Sequence, residues 1–219
     1  MKRKDSPRYL DFSHRKLNKK SRMYRHEVVH LTRDMLSIVI KINQKLAVCE
    51  NIIRILGSRK QVFKIKNPVS NHEEFSELHY HIENFIYRVH SYRDKVCMFI
   101  NHVMRIGYSE SDEGLLNKLI ANDLVKQLHI DTELKRFQVD EVAELLNTRK
   151  SMSHRLYYDT YNLHFMPDIN PEDVGYYKTS LVWRTKIKKD VSKIDDCMEK
   201  MFDINTNLSE KLLKFLNEK

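Results

Sequence analysis

Apolar residues return every three or four positions along a first stretch of the chain, residues 21–56, which contains neither glycine nor proline. The apolar stripe consists of Val28, Leu31, Met35, Ile38, Ile42, Leu46, Cys49, Ile53 and Leu56. This spacing predicts one long amphipathic helix, because residues three and four apart share a helical face. Gly57 is predicted to end it, since glycine readily adopts the left-handed conformation of a C-terminal cap.

Two further stretches have the same period and predict two more long helices. The second begins after Pro68, where Ser70 and Glu73 have the spacing of a capping box, and continues to Gly107. Its stripe consists of Phe75, Leu78, Ile82, Phe85, Val89, Tyr92, Val96, Phe99 and Val103. The third covers about residues 177–217. Its stripe consists of Leu181, Ile187, Val191, Ile194, Met198, Met201, Ile204, Leu208, Leu212 and Leu216.

Shorter helices are predicted at residues 112–128 and 139–158. A basic loop covers 58–70, with a short strand at 62–65 as an open alternative, and a second loop covers 162–175. The chain has only four glycines and four prolines, which argues against the many turns of a sheet-rich fold. The prediction is an all-α chain: a helical bundle with three long antiparallel helices and shorter accessory helices.

Charge changes this picture at the N-terminus. Residues 1–34 contain eleven Lys or Arg and four acidic residues, a difference of +7 out of the formal net charge of +9. We therefore predict a basic, flexible N-terminal arm at residues 1–20, followed by a single domain at 21–219. Such an arm is attracted to phosphate backbones or acidic surfaces, and a solubilising tail is the open alternative.

Cysteine usage and hydropathy indicate a compartment. The three cysteines, Cys49, Cys97 and Cys197, are widely spaced and form no CxxC pair, which favours reduced intracellular thiols. No apolar run approaches the ~20 residues of a membrane span. A signal peptide requires an apolar segment after its basic N-terminal residues, and this sequence has none there. The sequence therefore predicts a cytoplasmic protein with no membrane partner.

Residues 26–30 (HEVVH) have the spacing of a zinc-binding motif, in which two histidines bind the metal and the glutamate acts as base. Glu50 lies twenty residues after His30, a spacing that some zinc peptidases use for a third ligand. On one continuous helix this separation is ~30 Å, which is too far. A third ligand from elsewhere stays open, but Val28 and Leu31 fit an ordinary helix start. No metal and no cofactor are therefore predicted.

The predicted helix at 139–158 has unusual polar content. At ~100° per residue, Arg149 falls within its apolar stripe and Ser153 falls at the edge. Another face carries Asn147, His154, Tyr158 and Tyr161. Because an unpaired buried charge is unfavourable, Arg149 requires a partner or a cleft.

A polar lane accompanies the apolar stripe of the second long helix. It consists of His90, Asp94 and Asn101, with Tyr87 and Arg93 at its margins. Such a lane can supply a partner for a buried guanidinium, or it can line a cleft. One interpretation is purely structural: Arg149 pairs internally with Asp94, and His154 is a packed interface histidine.

Arg149 and His154 are separated by four residues and match the R-x4–6-H signature of the HEPN superfamily. Members of that superfamily are α-helical bundles with two long antiparallel helices, and the signature lies on a later helix. Residues 87–101 (YRVHSYRDKVCMFIN) also resemble the inner long helix of HEPN-like proteins. Lys150 departs from the pattern, because many active members have another polar residue, often Asn, directly after the arginine.

This resemblance implies a metal-free endoribonuclease without a cofactor, which acts on RNA as a homodimer. It also implies a role as a toxin or antiviral effector, with an antitoxin or another protein as a further partner. His154 would transfer a proton at the RNA 2′-hydroxyl or the leaving oxygen, and Arg149 would hold the scissile phosphate. The residues implied in RNA binding or positioning are Asn147, Lys150, Ser153, Tyr158 and Asp94.

Helical geometry complicates this prediction. Side chains five residues apart on a straight helix are separated by ~140° around its axis. Arg149 and His154 must therefore converge through long side chains at a cleft, through a helix break or through a second subunit, and we predict a dimer. The alternative function is a non-catalytic basic helical module that binds nucleic acid or a protein partner.

Overall fold

The computed structural model describes residues 17–56, 68–112, 114–139, 142–143, 145–147 and 174–218. Every regular element in these ranges is helical, which confirms the all-α prediction for them. The strand alternative at residues 62–65 and residues 1–16 of the predicted arm lie outside the described residues.

Three long helices and three short ones make up the described chain. In chain order they are α1 (Lys19–Leu56), α2 (Pro68–Val103), α3 (Leu115–Ala121), α4 (Asp123–Gln127), α5 (Ile130–Lys135), a 3-10 turn (Arg136–Gln138) and α6 (Val174–Asn217). Residues 142–143 and 145–147 are also helical, within the predicted helix at 139–158. None of the helices, as far as their residues are described, is long and apolar enough to cross a membrane.

The buried positions of α2 and α6 alternate in steps of three and four residues. In α2 one row of buried residues consists of Phe75, Leu78, Ile82, Phe85, Val89, Tyr92, Val96, Phe99 and Val103, and Ile86, Cys97, Ile100 and Asn101 are buried beside it. In α6 the buried positions include Ile187, Val191, Ile194, Met198, Met201, Asn205, Leu208, Leu212 and Phe215. This heptad spacing keeps one seam of each helix against its neighbours. The predicted stripe of α2 is thereby confirmed, whereas Asn205 is a polar residue in the seam of α6.

Helix α1 begins where Asn18 caps it and runs in the opposite direction to α2. The side-chain oxygen of Asn18 accepts a hydrogen bond of 2.8 Å from the backbone nitrogen of Ser21, and the preceding Leu17 is buried. Near the end of α1, Lys45 Nζ lies 2.7 Å from Glu74 Oε2, at the start of α2. Lys95, late in α2, pairs with the early part of α1 at Glu27.

A buried polar network joins the three long helices. Tyr92 Oη of α2 donates to Asn205 Oδ1 of α6 at 2.5 Å, and Asn205 Nδ2 lies 3.5 Å from Thr32 Oγ1 of α1. Thr32 and Tyr92 are fully buried, and Asn205 is 4% exposed. Because a buried polar group without a partner is unfavourable, these bonds favour one register of the three helices.

Several predicted boundaries were wrong, including the end of α2, which lies at Val103 and not at Gly107. Residues 112–128 form two helices, because Asn122 takes an extended backbone conformation and its side chain caps α4 through the nitrogens of Leu124 and Val125. Helix α2 begins at Pro68, so Ser70 lies inside the helix and is not its cap. Proline suits a first helical position, where its missing N–H has no helical partner.

Candidate functional site

A cleft of about 700 Å³ lies beside the C-terminal half of α2. Its walls come from α2, the loop after it, α3, the 3-10 turn and the helical residues around Leu146. Asp94 and Asn147, both predicted as positioning residues, line this cleft. Its volume lies in the range of small-molecule pockets, roughly 300–1,000 Å³.

His90, Arg93 and Asp94 form a hydrogen-bonded cluster on the α2 wall of the cleft. Arg93 Nη2 lies 2.7 Å from Asp94 Oδ1, and His90 Nδ1 lies 3.1 Å from Asp94 Oδ2. Arg93 Nη2 also lies 3.0 Å from His90 Nε2. Because a guanidinium only donates, His90 Nε2 accepts, and the ring proton is assigned to Nδ1, towards Asp94. Both ring nitrogens are engaged, so His90 positions Arg93 and is not a free base.

Glu110, in the loop after α2, is a second charged group of the cleft. Its Oε1 lies 2.9 Å from Lys20 Nζ and 2.9 Å from His102 Nε2. Hydrogen bonds from Lys20, Tyr24 and His102, with Lys20 the strongest, lower the pKa of Glu110 to about 2. Burial, followed by the contact with Glu110, raises the pKa of Tyr24 to about 12. The cluster therefore ties the start of α1 to this loop.

The rest of the polar lining includes Ser111, Asp112 and an amide pair. Asp112 Oδ2 lies 2.9 Å from Lys118 Nζ. Gln138 Nε2 donates to Asn117 Oδ1 at 2.6 Å. Each of the three carboxylates that line the described cleft therefore has a cationic partner, although two of these partners, Lys20 and Lys118, are not themselves lining residues.

Cys97 also lines the cleft, although its side chain is only 2% exposed. Burial raises the pKa of its thiol to about 12. The thiol therefore stays protonated at neutral pH and provides no thiolate nucleophile.

Asn101, the third member of the predicted polar lane, has a different role from His90 and Asp94. It is 1% exposed, and its side chain forms hydrogen bonds with both the carbonyl oxygen and the nitrogen of Tyr108. Asn101 Nδ2 donates to the Tyr108 carbonyl oxygen at 2.8 Å, and Asn101 Oδ1 accepts from the Tyr108 nitrogen at 3.1 Å. Asn101 thus fixes the loop that carries Glu110.

Five predicted site residues cannot be compared with the cleft. Arg149, Lys150, Ser153, His154 and Tyr158 lie outside the described residues. The convergence of the arginine and the histidine therefore stays a prediction, as does the alternative ion pair between Asp94 and Arg149. Asn147, the last described residue before this segment, is exposed.

The residues of the HEVVH motif contact other partners. His30 Nδ1 lies 3.2 Å from Asp34 Oδ2, and Glu27 Oε2 lies 2.8 Å from Lys95 Nζ. The ring centroids of His26 and His30 are 6.4 Å apart. Over the described ranges, no group of three or more His, Cys, Asp or Glu side chains is placed to hold a metal ion.

Sequence patterns did not identify Glu110, Asn117 and Gln138 as cleft residues, and they placed Arg93 only at the margin of the polar lane. Arg93 did carry a signal, because it lies three residues after His90, a spacing at which helical side chains meet. The other three lie in loops or short helices, and periodicity does not predict how such elements pack against α2.

Comparison with family models, curated proteins and solved structures found no match to this chain, so its relation to the HEPN superfamily stays a prediction from its residues.

Proposed function

We propose that the protein is a metal-independent endoribonuclease of the HEPN type. The observation that supports this is the position of Asn147, which lines the same cleft as Asp94 and the His90–Arg93 pair. The R-x4-H segment begins two residues after Asn147. Two peptide units reach at most ~7 Å, and the proposal therefore puts Arg149 at the edge of this cleft.

Charge decides which residues hold the phosphate in this proposal. The described lining of the cleft offers one arginine, and that arginine is already paired with Asp94. A phosphodiester with developing negative charge needs further cations, and Arg149 and Lys150 supply them. His154 transfers a proton at the 2′-hydroxyl or the leaving oxygen, and the product ends in a 2′,3′-cyclic phosphate.

The proposal also includes the assembly. Residues 21–219 form one HEPN-like domain, in which α1, α2 and α6 are the three long helices of an antiparallel bundle. Two copies face each other in the cytoplasm, so that two motifs share a cleft, and the basic arm adds affinity for RNA that weakens with salt.

Cleavage of RNA in the presence of EDTA tests this function. The wild-type protein is expected to release fragments with 2′,3′-cyclic phosphate ends, and His154→Ala is expected to lower the rate by about 100-fold or more. His26→Ala is the matched control, because His26 is an exposed histidine on α1. If the wild-type protein binds RNA but does not cleave it, the nuclease proposal is wrong and the non-catalytic RNA-binding module takes its place.

A further inference from the structure

The carboxylates of the cleft are balanced in charge once their partners are counted, two of which lie outside the lining. Asp94 is paired with Arg93, and Glu110 lies 2.9 Å from Lys20 Nζ. The third carboxylate, Asp112, is paired with a lysine of α3. A phosphate would meet three carboxylates here, whereas an uncharged ligand with several hydrogen-bonding atoms would meet donors and acceptors that are already neutralised.

We infer that this cleft is a nucleobase site, and that it selects guanine. The inference rests on the proposed function for the source of the base, which is the RNA substrate. The phosphates stay outside this cleft, and only the base enters.

Arg93 and Asp94 together match the Watson–Crick edge of guanine. Arg93 Nε and Nη2 are held by Asp94 and His90, and Nη1 has no hydrogen-bond partner in the part of the chain that the structure describes. Arg93 only donates and therefore suits the O6 atom of guanine. Asp94, with 43% of its side chain exposed, only accepts. Arg93 and His90 take three of its roughly four acceptor positions, so one position on Oδ2 remains for the N1–H of guanine, and the neighbouring 2-amino group lies against the same negative charge.

The other bases fit this pair less well. Uracil presents an acceptor, a donor and a second acceptor, so its O2 atom would oppose the Asp94 carboxylate. Adenine and cytosine lack two adjacent donors next to an acceptor. Apolar lining residues, among them Met98, Leu115 and Leu116, can contact the face of a flat ring.

Calorimetric titration of the full chain with GMP, AMP, CMP and UMP tests the inference without any cleavage step. GMP is expected to bind about tenfold more tightly than the other three, since a good base contact discriminates by this order. Equal binding of all four nucleotides, or no binding of any, would overturn the inference.

A variant that reverses one hydrogen bond sharpens the test. Asp94→Asn replaces an acceptor with a donor, so GMP affinity should fall by about tenfold. Affinity for xanthosine monophosphate, which has an oxygen in place of the 2-amino group, should rise. The matched control is Asp123→Asn, because the side chain of Asp123 is 93% exposed on α4 and does not line the cleft. An unchanged order of nucleotide affinities in Asp94→Asn would contradict the inference. The urea unfolding midpoint of the Asp94→Asn variant checks that the fold is retained.

The two proposals can fail separately. Guanine-selective binding without RNA cleavage supports the base site and removes the nuclease. Cleavage of RNA together with equal affinity for the four nucleotides supports the nuclease and removes the base site.

Discussion

Tyr92 and Arg93 are neighbours in α2 but belong to two different kinds of polar cluster. Tyr92 is fully buried and donates to Asn205 in the core between the long helices. Arg93 lies on the cleft wall with 21% of its side chain exposed, held by Asp94 and His90. About 100° of helical rotation separates the two side chains.

The two clusters differ in whether their hydrogen-bonding groups remain accessible to a ligand. The hydroxyl of Tyr92 is bonded to Asn205, and burial holds its pKa well above the usual range, so it stays neutral. Asp94 and Arg93 bond each other but keep accessible surface for a ligand. A satisfied buried network therefore favours one packing arrangement, whereas a partly satisfied, accessible one is suited to binding. Variants can test this difference, since changes in the Tyr92 cluster should lower stability and changes in the Arg93 cluster should lower ligand affinity.

The largest loss of stability is expected for Tyr92→Phe. It leaves Asn205 Oδ1 without its hydrogen bond in the core, and the free energy of unfolding should fall by about 1–3 kcal/mol. Urea unfolding followed by circular dichroism measures this. Tyr80→Phe is the control, because Tyr80 is 61% exposed, and its change should stay within about 0.5 kcal/mol. Equal losses in the two variants would contradict a stabilising role for the network.

A smaller loss is expected where α5 meets α6. Lys211 Nζ lies 2.8 Å from Glu133 Oε1 and donates to the His129 carbonyl oxygen at 2.7 Å. Burial opposes ionisation of Glu133, but the hydrogen bonds led by Lys211 outweigh it and lower the pKa. Lys211→Met should lower the free energy of unfolding by about 1.5 kcal/mol. Lys214→Met, at a side chain that is 74% exposed, should change it far less in the same urea titration.

Acid sensitivity is expected from the Glu110 cluster. The folded-state pKa of about 2 lies below the usual 4.5, so Glu110 stabilises the fold above pH 4.5 and loses this contribution as the pH falls towards 2. Glu110→Gln should flatten that part of the pH dependence. Urea midpoints between pH 7 and pH 3 measure it, with the exposed Glu210→Gln as control. A steep acid dependence that survives in Glu110→Gln would assign it to other groups.

The smallest effect on stability is expected at Arg93. Arg93→Gln removes an ion pair that water partly reaches, so the free energy of unfolding should change by less than about 1 kcal/mol. The same variant should lose the preference for GMP. A loss of stability as large as that of Tyr92→Phe would make Arg93 a structural residue and remove the distinction between the two clusters.

Much of the fold could be predicted because its long helices repeat one apolar pattern. The seam of α2 follows directly from that period, since each buried position lies three or four residues after the last. The break at Asn122 could not be predicted in the same way. Asparagine fits a helix surface as well as a cap, and neither glycine nor proline marks the position.

The candidate site was predicted only in part. His90 and Asp94 could be placed in one lane, because helical spacing fixes their direction. Their association with Glu110 and Gln138 depends on contacts between distant segments, and these leave no period in the sequence. The same reason explains why Asn205, a polar residue in an apolar seam, gave no indication of its partners on α1 and α2.

Each long helix contains one cysteine: Cys49 in α1, Cys97 in α2 and Cys197 in α6. None is more than 2% exposed. A maleimide or disulfide reagent can therefore reach each sulfur only when the surrounding segment opens transiently. With two of the three replaced by alanine, the labelling rate of the third reports the opening free energy of a single helix. The native cysteines thus allow local unfolding to be followed helix by helix, because no new reactive group has to be introduced.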